Sequence, residues 1–414
     1  MLDVGELTRT EIVSLRAMLG HGPADGLPRL VDTTMLFGPR SGGVKRYLLA
    51  KHAWMAKERP QLRHALVVPG RATRATSEGL ITISAPPIPF GDGYRCPTSL
   101  RKWTRILAHL RPSLIEMGDT YVPGHAALDA AEAVGAPTVA FCHSDPAALA
   151  ALHFGEWAAA PAQRRVARFY SRCDLVAAPS RYIAGRLAEA GVDQVMVQPL
   201  GVDLDLFNPK RADRETVRSD LGLSSKTRLL VFAGRPAREK NLETLLDALD
   251  LLGEDYRLIL IAAGAYLRPH PQVIGLDYVR DPRLLARLIA SCDAFVHAND
   301  QEPFGLVVLE ALASGVPVVG PSSGGVSELI DDSIGQVAHR ATAQGMAEAI
   351  DALFARDLDV LSQAARARAE ARHGWSRTFD SLMQAYGDLL GVDLSAQAQE
   401  PDDFSRSLNP ALNL

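Results

Sequence analysis

The sequence predicts an α/β protein built from two doubly wound parallel-sheet domains facing across a cleft. Three observations carry this. Short apolar runs alternate with helix-period segments along the chain. The alternation occurs twice, with a break near residues 200–215, where "GVDLDLFNPKRADR" mixes turn residues and charge. The length, 414 residues, also exceeds what one ordinary core holds.

Taken in order, residues 1–27 form a leader ending in the loop "GHGPADG". "RLVDTTMLF" reads as a buried strand, followed by the turn "GPRSGG" and a helix from about Val44. "HALVVPG" and "LITISAPPIPF" are strands, and "SLRKWTRILAHLR" (99–111) is a helix. "SLIEMGD", "PTVAFCHSD", "CDLVAAPS" and "VMVQPLGVD" continue the strands, with helices at "AALDAAEAVG" and "RYIAGRLAEAG". The second half opens on the strand "RLLVFAG" and a helix at 241–252 that Asn241 is expected to cap. "YRLILIAAG", "DAFVHAN" and "VPVVGP" are further strands, and "DPRLLARLIASC" and "LVVLEALASG" are helices. "GVSELI" is expected to open another helix, and "SRTFDSLMQAYGDLLG" (376–391) is the last. The polar tail 392–414 is expected to be disordered. The domains are thus 28–205 and 206–375.

At 47% apolar and 22% charged, the composition is that of a globular protein. No apolar run reaches membrane-spanning length, and the N-terminus lacks a secretory pattern, so a cytoplasmic location is expected. Four scattered cysteines form no metal-binding spacing and are expected to be reduced. The net charge of −4 hides an asymmetry: residues 40–111 hold 14 Lys/Arg against three acids, +11, so the rest carries −15. Only seven residues are lysine, which makes a lysine at a strand end a small signal.

The most informative stretch is "QEPFGLVVLEALASGVPVVGPSSGG", in which Glu302 and Glu310 stand in an apolar run. On one helix, eight residues would set them about 80° apart. The spacing instead places Glu302 in the loop after a strand and Glu310 inside a helix that begins near Gly305. The amides of Phe304, Gly305 and Leu306 then point into the same space, with the positive end of the helix dipole behind them. Amides suit an anion and carboxylates suit hydroxyls, so a nucleotide sugar would satisfy both; a capped helix with two solvated acids is the bland alternative. In "FAGRPAREKN", Arg235 and Lys240 follow a strand end and are placed for a diphosphate. In "PRSGGVKRY", Gly42 and Gly43 would let the backbone approach a ligand; the turn is not a dinucleotide fingerprint.

Together "SGGV", "PSRYIAGRLAEAG", "QPLGVDLDLFNP", "FAGRPAREKN", "DAFVHANDQEPFGLVVLEALASGVPVV" and "GGVSELI" resemble the retaining glycosyltransferases of family 4, over about residues 28–391. The resemblance implies a GT-B fold of two Rossmann-like domains, a nucleotide sugar held mainly by the second, and a last helix crossing back to the first. Glu302 would contact the donor hexose and Glu310 the ribose, while Arg235 and Lys240 would bind the diphosphate. The amides at Phe304, Gly305, Leu306 and Gly43 would lie along the sugar and diphosphate. His143, in "FCHSD", would orient the hexose rather than attack it. "DLD" at Asp203–Asp205 is expected to be structural, with no cofactor and no essential metal.

On the acceptor side, residues 99–111 describe a basic amphipathic helix with Trp103, which could rest on an anionic membrane or simply pack on the sheet. "SAPPIPFGDGYR" is similar to a Pro-rich loop of members acting on lipid-linked acceptors. Asp119 and Tyr121 are the candidate acceptor contacts. No interleaved aromatic platform supports nucleic-acid binding. A sugar-nucleotide epimerase and a non-catalytic binding subunit are the two alternatives to a hexosyltransferase.

Overall fold

The computed structural model describes residues 28–39, 41–89, 93–261 and 268–394. The expected leader 1–27, the tail from 395, Arg40 and part of the Pro-rich loop lie outside the described residues.

The first domain runs β1 (Arg29–Thr33), α1 (Gly43–Glu58), β2 (Arg63–Gly70), β3 (Arg74–Ala75), β4 (Leu80–Ser84), α2 (Leu100–His109), β5 (Leu114–Met117), α3 (Val122–Val134), β6 (Thr138–Phe141), α4 (Pro146–Phe154), α5 (Ala159–Tyr170), β7 (Leu175–Ala178), α6 (Arg181–Glu189) and β8 (Val195–Val197). The second runs α7 (Arg214–Asp220), β9 (Arg228–Ala233), α8 (Leu242–Leu252), β10 (Tyr256–Ile261), β11 (Val273–Leu276), α9 (Pro282–Ala290), β12 (Ala294–Val296), α10 (Leu306–Ala313), β13 (Val318–Pro321), β14 (Gly335–Ala338), α11 (Ala343–Phe354) and α12 (Leu358–Arg372), followed by α13 (Trp375–Leu390). The first sheet has the order β3-β4-β2-β1-β5-β6-β7-β8 and the second β11-β10-β9-β12-β13-β14. Among the described strands only β3 pairs antiparallel. Strands such as β1, β5 and β6 are buried at every position, as parallel strands covered by helices on both faces must be.

Several local expectations are corrected. Residues 146–170, left unassigned by the strand–helix alternation, fold as α4 and α5 joined by a 3-10 turn at Glu156–Ala158. "GVSELI" makes one 3-10 turn, Gly325–Glu328, rather than opening a helix. Asn241 does not cap α8 with its side chain: it takes a left-handed φ of 50°, and its Nδ2 donates to the Ala298 carbonyl at 3.1 Å. Helix α2 buries Trp103, Ile106 and Leu107, so its apolar stripe packs inward and is not free for a membrane. The basic segment is likewise not one open face. Lys51 is fully buried, Arg59 binds Asp380 at 2.6 Å, and Arg46 binds Glu310. The first residues of the expected tail pack on the fold, since Leu394 is buried and its carbonyl accepts from Arg59 Nε at 3.3 Å.

Helix α13 lies on α1 of the first domain. Its Trp375 and Phe379 rings stack at 5.1 Å, and Trp54 Nε1 donates to Ser376 Oγ at 3.2 Å. Beneath them Lys51 Nζ donates to Asp32 Oδ1 at 2.9 Å, Glu116 Oε2 at 3.0 Å and Tyr386 Oη at 2.9 Å. Tyr386 donates in turn to Glu116, as does Tyr47, at 2.9 Å to Oε1. Burial alone would strip the ammonium, but the two carboxylates more than offset it and hold Lys51 above the ordinary lysine range. Burial also opposes ionisation of Asp32, yet Lys51 and His64 keep it below the usual carboxylate range. Burial lifts Glu116 above that range against the pull of Lys51.

Removing one partner of such a cluster leaves a buried charge uncompensated. Lys51→Ala is therefore expected to lower the unfolding free energy by about 3–5 kcal/mol in urea titrations. Tyr386→Phe, which removes one hydroxyl and keeps the ring, should cost about 1–3 kcal/mol.

Candidate active site

In a parallel sheet, the loops that part to opposite sides leave a crevice at the strand carboxyl ends. In the second sheet the order reverses between β9 and β12, and in the first between β1 and β5. Lys240 follows β9, and Glu302 follows β12. The turn carrying Gly42 and Gly43 follows β1, and Asp119 follows β5.

Lys240 Nζ donates to Glu302 Oε2 at 2.6 Å. Asn299 Nδ2 donates to the same oxygen at 2.9 Å, and His297 Nε2 stands 3.3 Å from it. All three meet at Oε2, which leaves Oε1 outside the cluster. Burial opposes the charge on Glu302, but Lys240 and His297 hold the carboxyl well below the usual range. Two glycines let the neighbouring loop lie against this one. A Cβ on Gly324 would sit 2.8 Å from the Asp300 carbonyl, and one on Gly325 would sit 2.3 Å from that of Pro303.

Helix α10 starts at Leu306, after Gly305 in a left-handed conformation with φ 100°. A side chain at Gly305 would also strike Val326 at 2.9 Å, so this sharp entry requires glycine. The ring of Phe304 is buried, which leaves its amide to line the helix mouth with those of Gly305 and Leu306. Glu310, 2% exposed, lies inside the helix and pairs with Arg46 of α1, across the cleft. Burial lifts Glu310 above the usual carboxylate range, and Arg46 offsets this only in part. Glu310 Oε2 is buried without a hydrogen-bond partner among the described residues.

The glycine turn faces the helix mouth: a Cβ on Gly43 would stand 3.7 Å from Leu306 Cδ2, and one on Gly42 would meet no protein atom within 4 Å. Two further contacts join the domains here. Ser180 Oγ donates to the Pro303 carbonyl at 2.6 Å. Glu328 accepts from the amides of Arg181 and Tyr182 at 3.0 and 2.8 Å, capping α6 from the other domain.

His143 follows β6 and stacks on Phe141 at 4.4 Å, with Nε2 buried and unpartnered. Burial, helped by the charge on Lys51, pushes its pKa down to about 3, so the ring is neutral at neutral pH. Gly118 adjoins it, since a Cβ there would lie 3.5 Å from the imidazole.

Other expected residues stand apart. The Arg235 side chain is 64% exposed and turns to Glu239 at 3.4 Å rather than to the Lys240 cluster. Asp119 is buried: one oxygen accepts from Thr34 Oγ1 at 2.8 Å and from the Met35 amide, the other from the Tyr121 amide at 2.8 Å. Its carboxylate serves the loop instead of facing an acceptor, whereas Tyr121 is 51% exposed. Asp203 Oδ1 holds the amides of Asp205 and Leu206 at 3.0 and 2.9 Å.

His297, Asn299 and Arg46 escaped the sequence reading. The first two had a signal, as polar residues one and three positions beyond an apolar strand end. Arg46 had none, because its partner lies 264 positions away.

Two family profiles match this chain: "Glycosyltransferase Family 4" over residues 41–206 and "Glycosyl transferases group 1" over residues 213–373. A GDP-mannose-dependent alpha-(1-6)-phosphatidylinositol dimannoside mannosyltransferase of Mycobacterium tuberculosis is 29% identical over 377 residues, spanning 87% of this chain and 96% of the relative. A D-inositol 3-phosphate glycosyltransferase of Xylanimonas cellulosilytica is 34% identical over 221 residues, 49% of this chain and 53% of the relative. Among solved structures, sucrose-phosphate synthase from Thermosynechococcus elongatus superposes with a TM-score of 0.71 at 19% identity, over 88% of this chain and 99% of that one. HepE of Anabaena, solved with UDP-glucose, superposes with a TM-score of 0.68 at 19% identity, over 87% and 99%. The superpositions bear on the fold, and the sequence matches bear on the chemistry. With both halves matched, the chain belongs to the group 1 glycosyltransferases of family 4, enzymes of the GT-B fold that transfer a hexose.

Proposed function

We propose that the chain is a retaining, metal-independent hexosyltransferase that moves a glucose- or mannose-type hexose from a nucleoside-diphosphate sugar to a hydroxyl of a glycolipid, lipid-linked or glycan acceptor. The observation that carries this reading is the pair of carboxylate oxygens at one helix mouth. Glu302 Oε1 stands outside the Lys240 cluster, and Glu310 Oε2 is unpartnered. Both suit hydroxyl donors, and the amides between them suit a diphosphate. The mycobacterial relative, named for GDP-mannose and a phosphoinositide acceptor, supports mannose as the first sugar to test.

In this reading Glu302 holds the hexose hydroxyls and Glu310 the ribose. The C1–O bond to the diphosphate breaks, and a C1–O bond to the acceptor forms on the same face. The acceptor proton passes to the departing phosphate oxygen. Lys240, Arg235 at the cleft rim and the amides of Phe304, Gly305, Leu306 and Gly43 take up the charge that develops. The neutral His143 orients the hexose. Gly42 keeps the turn thin where the donor passes. Asp203 Oδ1 holds the amides of its own turn, which supports a structural role for the DLD segment in this scheme. No described helix is long and apolar enough to cross a membrane. In this reading the enzyme works in the cytoplasm, peripheral to the cytoplasmic face of the inner membrane.

A donor screen tests the proposal. One of GDP-, UDP- or ADP-sugars should raise the melting temperature, by an amount equivalent to about 2.7 kcal/mol at a hundred times Kd; a flat response to all three sinks it. Lys240→Ala and Glu302→Ala should each lower kcat by roughly 10²–10³. Glu310→Gln should instead raise the donor KM by about tenfold or more, through one lost charge-assisted hydrogen bond. Transfer unaltered in all three would place the site elsewhere.

The neutral His143 has a pH consequence. The unfolded chain takes up this proton below about pH 6.5, whereas the folded protein refuses it until about pH 3. Folded stability should therefore fall as pH drops through that window, and His143→Asn should remove this share in urea titrations at several pH values.

A further inference from the structure

The first domain carries a second concave site that the transfer chemistry does not use. A cavity of about 490 Å³ opens between α3 and α5, lined by Thr120, His125, Arg164, Arg165, Arg168 and Arg172. Phe169 forms its floor, edge-on to His125 at 5.1 Å. Helix α5 puts Val166, Ala167, Phe169 and Tyr170 into the core, which turns its arginines outward together. Arg172 reaches Asp129 only at 3.9 Å, and among the described residues no carboxylate pairs with Arg164, Arg165 or Arg168. Four guanidiniums around one hollow fit an anion with several oxygens, above all a phosphate.

The turn leading into α5 is apolar in a way that the fold does not explain. Phe154 is 68% exposed and Trp157 76%, the two most exposed large apolar side chains among the described residues. Gly155, at φ 97°, makes the turn between them. Aromatic side chains standing free beside a row of arginines are the makeup of a surface that enters the headgroup region of an anionic bilayer.

The location agrees. Helix α4 starts at its cap Asp145, two residues beyond His143, so the α4–α5 corner hangs from the strand end at the proposed transfer site. Thr120, on the cavity wall, precedes the exposed Tyr121 at the end of β5. A lipid phosphate held in the cavity would present the rest of its headgroup toward the cleft.

We propose that the α4–α5 corner docks on an anionic membrane: Phe154 and Trp157 enter the interface, and the cavity ringed by Arg164, Arg165, Arg168 and Arg172 takes the phosphate of one anionic lipid. This moves the membrane contact from helix α2, whose apolar stripe is buried, to a surface whose aromatic residues are exposed. It rests on the lipid-acceptor reading only for its purpose; the binding is measurable without it.

The experiment is flotation of the full chain with phosphatidylcholine vesicles, with and without phosphatidylglycerol, at low and high salt. Binding should require phosphatidylglycerol and weaken with salt. Arg164→Gln with Arg168→Gln should weaken it roughly 10- to 30-fold, at about fivefold for each cation near the surface. Phe154→Ser with Trp157→Ser should weaken it at either salt. Brominated lipid should quench tryptophan emission, and Trp157→Phe should abolish the quenching while binding persists, since Trp54 and Trp103 are buried and Trp375 is half-buried against Phe379. Hydrolysis of the donor sugar, and transfer to a water-soluble acceptor that carries no phosphate, should be unchanged in all these variants, which separates a failure here from a failure of the transferase reading. Four results would each overturn the proposal: vesicle binding indifferent to these variants; full displacement by inorganic phosphate or glycerol phosphate alone; a dimer in solution that Trp157→Ser dissolves; or preferential binding of single-stranded RNA.

Discussion

One buried ammonium fastens helix α13 to the first domain. Lys51 lies on α1, its carboxylate partners lie on β1 and β5, and Tyr386 comes from α13. None of the charged groups can be given to water, so none tolerates the absence of the others. The cleft depends on this arrangement. Helix α13 belongs by sequence to the second domain, and the cluster fastens it to the first. The same helix α1 carries Arg46 toward Glu310 and begins at the glycine turn facing α10. A displacement at Lys51 would therefore be felt at both walls of the site.

At the site itself, charge is distributed by burial and partner. Glu302 is kept anionic by a lysine and a histidine from its own domain, whereas Glu310 is more deeply buried and depends on an arginine from the other. The first carboxylate is preorganised in the second domain alone. The second is set only when the domains meet. Ser180 and Glu328 reinforce that meeting by bonding across the same gap. A glycine at 305 makes the helix entry sharp enough for the loop glutamate and the helix glutamate to flank one set of amides.

Much of this was legible in the sequence, for reasons that can be named. The alternation of apolar strands and helices reports burial on two faces, and it identified the double parallel-sheet fold. Glu302 and Glu310 stood out because acids are costly in an apolar run. Helix α4 was passed over because its alanine-rich turns carry little contrast between faces, and α5 with it, although its arginines and its apolar residues do separate into two faces. Lysine scarcity was applied to Lys240 and not to Lys51, whose flanking residues "LLAKHAW" give no hint of two carboxylates from other strands. The basic segment misled for the same reason. A charge count along the chain cannot tell that Lys51, Arg46 and Arg59 bond to groups 19, 264 and 321 positions away. Amphipathicity of 99–111 was real, but a stripe of that width is equally what a sheet requires of the helix covering it.

The chain passes between the domains twice, and the two passages touch. The Val202 amide donates to the His373 carbonyl at 2.7 Å, and a Cβ on Gly201 would strike Trp375 at 2.8 Å. Gln198 and Thr378 add bonds between the same two segments. Two connectors clamped side by side act as a single pivot. A rotation that opened the cleft would turn about this point, and the bonds between the connectors oppose sliding of one past the other. The contacts across the cleft, Arg46 with Glu310 and Ser180 with Pro303 among them, would then part together.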